Sequence, residues 1–412
     1  MYKRIYSIAI FFLNFYFGLQ MIDASFGLIG KRQLGKLSVL LLLSVLLLVY
    51  NKLKKSVSKI DILIISYTAF FSLLGLFYDY PRELWKYGVI TQFYYMLFFI
   101  VGEYYHENIN VFRNGYYAVI LACLIGLPLY FLSPSWYIEY KSTGITINNT
   151  SEGSINTFLR FSSLWTVSYW ISYGCGIFYT YVLHRAYLRR NLRYIDILIL
   201  LFFIVILLLT QQRAPFALIV MSSVFYLVAP LPKKCASDSS YKRRLILTFL
   251  SIFGVSVFML LYAGLDQMQF VFEKYEEMTS GDFLSERKNI YAMFYDITLF
   301  GHGIGISSHA ALDFNMESCA DQMYLRLLYE TGIVGCIWLL CIFMPILSRG
   351  VKFFRYYQFE LLVIAFFLVS MTGADSLALM TQHSPIFWFC CGRICNKNLL
   401  QNRKISYEEN FR

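Results

Sequence analysis

The chain has 412 residues, 58% of them hydrophobic and only 15% charged, with a formal net charge of +11. A mean hydropathy of +0.55 lies far from that of soluble globular domains and indicates a polytopic membrane protein. The excess Lys and Arg sits in short connectors between apolar runs, where it sets topology, so it does not argue for nucleic acid as a partner.

A membrane span needs about 20 mostly apolar residues to cross about 30 Å of hydrocarbon. On that criterion the sequence predicts an all-α transmembrane bundle of about 12 spans, within a range of about 10 to 14. The spans fall near 5–22, 36–50, 60–78, 87–103, 113–132, 158–182, 194–210, 213–229, 245–264, 321–347, 357–374 and 382–396. Lys3 and Arg4 precede the first apolar run, which is long, aromatic and followed by further spans, and so reads as a transmembrane helix, not a cleaved leader.

Basic connectors recur on one side. They comprise Lys52, Lys54, Lys55 and Lys59; Arg185, Arg189, Arg190 and Arg193; Lys233, Lys234, Lys242, Arg243 and Arg244; and Arg349, Lys352 and Arg355. That side, with both termini, is expected to be cytoplasmic. Lys31, Arg32 and Lys36 run against the pattern. The whole chain, 1–412, reads as one integral membrane domain carrying two long extracytoplasmic loops, 133–157 and 266–320, the second before the last three helices. Long loops in compact proteins are uncommon and often functional.

The nine cysteines lie mostly inside spans without zinc-type spacing, and read as packing residues. Gly301-x-Gly303-x-Gly305 lacks the flanking strand and βαβ unit of a dinucleotide fingerprint. The 19% aromatic content is compatible with sugar stacking, but interfacial belts account for most of it.

Charge at the outer ends of helices remains. Arg160 follows the first long loop, Arg213 lies in the tight turn Thr210-Gln211-Gln212-Arg213, and Arg287 lies in the second loop. A guanidinium fork suits phosphate oxygens and is less costly to dehydrate than an ammonium. The plainer alternative is that each Arg snorkels to the interface or caps a helix. His302 and His309 are the titratable residues of the large loop, Asp321 begins the following helix, and Glu330 lies about 13 Å further along it. Asp321 could simply cap that helix. Gly332 and Gly335 suggest a close helix contact in which Glu330 bonds a neighbouring helix. Asp375 and His383, near the last outer turn, read as capping residues.

These residues resemble the O-antigen polymerase and O-antigen ligase family of bacterial membrane proteins. The resemblance rests on Arg160; on Leu209-Thr210-Gln211-Gln212-Arg213; on Arg287 ahead of Phe300-Gly301-His302-Gly303-Ile304-Gly305; and on Asp321-Gln322-x-Tyr324-Leu325 running to Glu330-x-Gly332-Ile333-Val334-Gly335. It implies an active site on the periplasmic side of the inner membrane and a substrate made of undecaprenyl-pyrophosphate-linked oligosaccharide repeat units. It also implies metal-independent glycosyl transfer without a cofactor, and leaves a chain-length regulator open as a partner. Ligases of the family typically carry His-Asn or His-Ser where this chain has Asp321-Gln322, a departure that favours a polymerase. On this reading Arg160, Arg213 and Arg287 bind the pyrophosphate. Asp321, His302 and Glu330, in that order, are the candidate bases. A ligase and a polysaccharide flippase are the alternatives, but a flippase should hold charges at mid-span in two matching halves.

Overall fold

The computed structural model describes residues 49–50, 57–104, 111–137, 161, 168–189, 191–210, 213–229, 246, 293–308, 311, 314, 316, 322–372 and 384–409. Helix α1 spans Lys59–Leu74, and its start is fixed by a capping box in which Ser58 Oγ accepts from Asp61 N–H and the Asp61 carboxylate accepts from Ser58 N–H. The chain then turns back through α2 (Arg82–Gly88), a π-helical segment (Val89–Tyr94) and α3 (Phe98–Tyr104). Next come α4 (Val111–Leu132), α5 (Ser168–Arg189), α6 (Tyr194–Thr210) and α7 (Arg213–Val228). The last group is α8 (Met323–Lys352), α9 (Gln358–Ser370), α10 (Ser384–Cys395) and α11 (Lys397–Glu409).

Every described regular element is helical. Among the described residues three helices are long and apolar enough to cross a membrane, Arg82–Glu103, Gly115–Leu132 and Met323–Lys352, and α6, α9 and Ala214–Val228 are shorter apolar helices. The α6 boundaries coincide with the predicted span. Helix α5 runs on to Arg189, past the predicted end at 182, because the Arg189 guanidinium donates to the Arg185 carbonyl and to the Asp196 carboxylate at 3.0 Å, holding the last turn together. The run at 5–22, all of 245–264 except residue 246, and most of 36–50 lie outside the described residues, as do 138–157 of the first long loop and 266–292 of the second.

The helices alternate between two ends. At one end Arg189 meets Asp196 between α5 and α6, and His184 stacks on Phe359 at the start of α9. There the fully buried Glu360 accepts from both Arg393 of α10 and Arg403 of α11, each at 2.8 Å. Arg349, Lys352, Arg355, Lys397 and Lys404 also fall at this basic end. The other end gathers the Leu74–Arg82 connector, Phe161, the α6–α7 turn and the 293–308 segment. Here Phe161 N–H donates to Leu209 O at 2.9 Å, and Met323 N–H to Met371 O at 3.1 Å.

Between the ends the core is aliphatic and aromatic. Trp338 of α8 meets Tyr67, Phe70 and Phe71 of α1, and Tyr173 of α5 meets Phe366 and Phe367 of α9. Helices α3 and α10 pack backbone to backbone, since a Cβ on Gly102 would stand 2.2 Å from the Phe389 carbonyl oxygen. Small residues allow such approach where lipid supplies no hydrophobic drive between helices.

Helix α8 is not continuous. Gly332 has φ 67° and ψ −172°, so the helix stops there and restarts. The break frees main-chain groups in an apolar interior, and the 298–303 segment bonds four of them. His302 N–H donates to Tyr329 O (3.0 Å) and Gly303 N–H to Glu330 O (3.2 Å), while Ile333 and Val334 N–H donate to Thr298 O (3.3 Å) and Leu299 O (3.0 Å). A side chain at 332 is excluded twice, by its positive φ and by a Cβ that would lie 2.4 Å from the Leu299 carbonyl oxygen.

Gly332→Ala should therefore destabilise the purified protein by at least about 2 kcal/mol. Gly176→Ala, whose Cβ would meet its neighbours no closer than 3.4 Å, should be nearly neutral. Thermal unfolding of both variants in one detergent checks the contrast, and equal melting temperatures would contradict the break as described.

Candidate functional site

The end opposite the basic cluster is where polar side chains converge. Its centre is the segment Gly301-His302-Gly303-Ile304-Gly305, docked into the break of α8. Gly301, Gly303 and Gly305 all have positive φ, of 76°, 106° and 86°. The run therefore has a packing cause: at Gly305 an added Cβ would lie 2.1 Å from the Leu84 carbonyl oxygen of α2, so the loop is wedged between α2 and α8.

Two phenols hold its carbonyls. Tyr78 donates to Gly301 O at 2.8 Å and Tyr80 to Ile304 O at 3.0 Å. Burial raises the pKa of both hydroxyls above the usual phenol range, and for Tyr80 the negative charge of Glu330 adds to the effect, so both remain protonated donors.

Beneath the loop lies a buried ion pair. Arg326 Nε donates to Glu330 Oε1 at 2.9 Å, one turn apart on the first half of α8, and neither side chain has exposed surface. Oε1 also accepts from Ser307 N–H at 3.2 Å and Ser307 Oγ at 3.0 Å, and Oε2 accepts from Gln92 in the π-helical segment. Glu330 thus ties α8, the loop and the π-helical segment to one carboxylate. The expectation of a bond to a neighbouring helix describes this geometry. The expectation of Glu330 as a third candidate base meets a group that is shut off from water and accepts from Arg326, Ser307 and Gln92, an arrangement suited to positioning.

His302 is different. Its side chain is 24% exposed, its Nε2 lies 2.5 Å from the Asp296 carbonyl oxygen, and its ring stacks on Tyr329 with centroids 4.4 Å apart and planes inclined by 26°. The imidazole is the one sequence-derived candidate whose side chain the structure describes at the water face.

Arg213 opens α7 at this same end, and its backbone is described while its side chain is not. Because Phe161 N–H is bonded to Leu209 O, the chain leading into α5 is pinned four residues before Arg213. Arg160, Arg287 and Asp321 lie outside the described residues. Helix α8 begins at Met323 after Gln322, which makes no side-chain capping bond. Asp375, His383 and His309 also lie outside the described residues. Among the described residues no group of three or more His, Cys, Asp or Glu side chains is arranged to hold a metal.

Sequence reasoning missed Tyr78, Tyr80, Gln92, Ser307 and Arg326. Arg326 carried a legible signal, since a cation four residues before a carboxylate inside an apolar run demands a partner. Gln92 and Ser307 carried none, because their role depends on distant segments meeting.

Residues 198–340, which include most of α6, α7, the Gly-rich loop and both sides of the α8 break, match the protein-family model described as O-antigen ligase. The likeness covers about a third of the chain and does not separate ligases from polymerases. No curated protein matches the chain.

Ser307→Ala should cost about 1 kcal/mol, and Glu330→Ala about 3–5 kcal/mol, by leaving Arg326 buried without its carboxylate. Thermal unfolding checks the order. If Glu330→Gln kept full stability yet lost all activity, the positioning role would give way to a chemical one.

Proposed function

We propose that this protein is a surface-polysaccharide polymerase of the bacterial inner membrane, with its active site on the periplasmic face. It transfers glycan from undecaprenyl pyrophosphate to a hydroxyl of a second lipid-linked repeat unit. The observation that carries this reading is the family match over 198–340 coinciding with the docked loop and broken helix at the end opposite the basic cluster. The charge asymmetry between the ends supports the orientation, because Lys and Arg collect on the cytoplasmic side.

The chemistry is undemanding at the leaving group, since pyrophosphate departs without protonation if its charge is neutralised. The protein's work is to hold that charge and to orient the acceptor. Arg160, Arg213 and Arg287 form the proposed clamp, and Asp321 and His302 are the groups proposed to accept the hydroxyl proton. Glu330 supports the loop from below. Membrane lipids surround the bundle, and a chain-length regulator is a compatible partner.

The ligase reading draws on the matched family, O-antigen ligase, and Asp321-Gln322 in place of the ligases' His-Asn or His-Ser speaks against it. A flippase should hold charges along its path in two matching halves, and the sequence shows no such half-repeat.

Arg213→Ala and Arg287→Ala should each abolish polymer while leaving membrane insertion intact, as read from the length ladder of surface glycan. A normal ladder in the double variant would refute the clamp. Purified protein supplied only with lipid-linked repeat units should lengthen the glycan. Transfer that occurs only when a lipid A core acceptor is added would instead make it a ligase.

A further inference from the structure

We propose that His302 acts through Nδ1, its Nε2 hydrogen being committed to the main chain of Asp296, with Asp296 and Tyr329 as the positioning residues of this imidazole. The proposal rests on the polymerase reading and deepens it by naming the atom that receives the proton.

The Asp296 carbonyl oxygen, 2.5 Å from Nε2, can only accept. Nε2 must therefore carry hydrogen, and in the neutral ring the lone pair is left on Nδ1. Nδ1 has no hydrogen-bond partner among the described residues. The ring cannot easily turn to exchange the two nitrogens. Its face lies on Tyr329 with centroids 4.4 Å apart, the main-chain N–H of His302 donates to Tyr329 O at 3.0 Å, and the flanking Gly301 and Gly303 are locked by the α8 break and by Tyr78 and Tyr80. A side chain fixed at its edge, its face and its backbone is prepared for one task before substrate arrives.

The Asp296 carboxylate adds the second half of the device. Its Oδ2 stands 3.5 Å from the same Nε2 and is largely exposed. When Nδ1 takes a proton the ring becomes a cation, and the carbonyl and carboxylate already facing Nε2 stabilise it. In the transfer the acceptor hydroxyl oxygen bonds to the anomeric carbon, and that carbon's bond to the pyrophosphate oxygen breaks with its electron pair going to the phosphate. The hydroxyl proton passes to Nδ1 and from there to water.

The chain has five histidines, so the 15N spectrum of protein with labelled histidine, reconstituted in lipid nanodiscs, is assignable by subtraction with His302→Gln. We expect one neutral tautomer for His302, hydrogen on Nε2 and none on Nδ1. Tyr329→Phe, which keeps the ring face, should retain it. Tyr329→Ala should give an averaged signal and a lower kcat at unchanged KM. His302→Gln should slow elongation of lipid-linked glycan by about 100-fold or more. Hydrogen on Nδ1, or a mixture of tautomers in the unsubstituted protein, overturns the proposal, as does full-rate elongation by His302→Gln. Unsubstituted protein that shows the fixed tautomer but lengthens no glycan overturns the polymerase reading instead, so the two failures are told apart.

Discussion

A helix that stops in the middle of an apolar bundle leaves carbonyls and amides with no water to bond, and each unmet group costs several kcal/mol. In this protein that requirement is met by one short segment, 298–303, which bonds Tyr329, Glu330, Ile333 and Val334. Much of the end opposite the basic cluster follows from it. The segment must bring its backbone within contact of α8 and α2, so glycines recur in it. It must be held from outside, so Tyr78 and Tyr80 reach its carbonyls, and from beneath, so Ser307 meets Glu330.

The consequence for chemistry is a separation of tasks within a few residues. Main-chain bonds and a buried ion pair fix the loop, and the imidazole it carries is left facing water. The opposite end has a different character: Glu360, Arg393 and Arg403 draw three helices together around a carboxylate with no exposed surface. Among the described residues the ion pairs built on a fully buried carboxylate thus fall into two groups, Arg326–Glu330 and Glu360 with Arg393 and Arg403, and the group beside the glycine-rich main chain is the one within the family match.

The helical class and the runs 194–210 and 213–229 were legible because long apolar stretches have few alternatives in any solvent. The Gly-rich loop was visible as the one polar, glycine-punctuated stretch in an apolar chain. Its docking was not, because Gly332 lies inside an unbroken apolar pattern and looks like a helix-contact glycine until its partner segment is in view. The single span expected at 87–103 forms as α2, a π-helical turn and α3, a change of winding that hydropathy does not register but that turns Gln92 toward Glu330. Helix α11 lies beyond the last predicted span because it is polar, and its hold on the bundle comes from Arg403 reaching Glu360. Of the six residues expected at the site, the described side chains are those of His302 and Glu330, and the structure assigns them unlike surroundings: one at the surface, one sealed.

The Glu360 staple carries an implication for biogenesis. Its carboxylate precedes Arg393 by 33 residues and Arg403 by 43, so during synthesis it emerges before either counter-charge exists. An ionised side chain cannot settle in hydrocarbon alone. Nascent α9 must wait at the headgroup layer, or enter protonated, until the following hairpin delivers its guanidinium groups, and this makes closure of the basic half a late event in assembly.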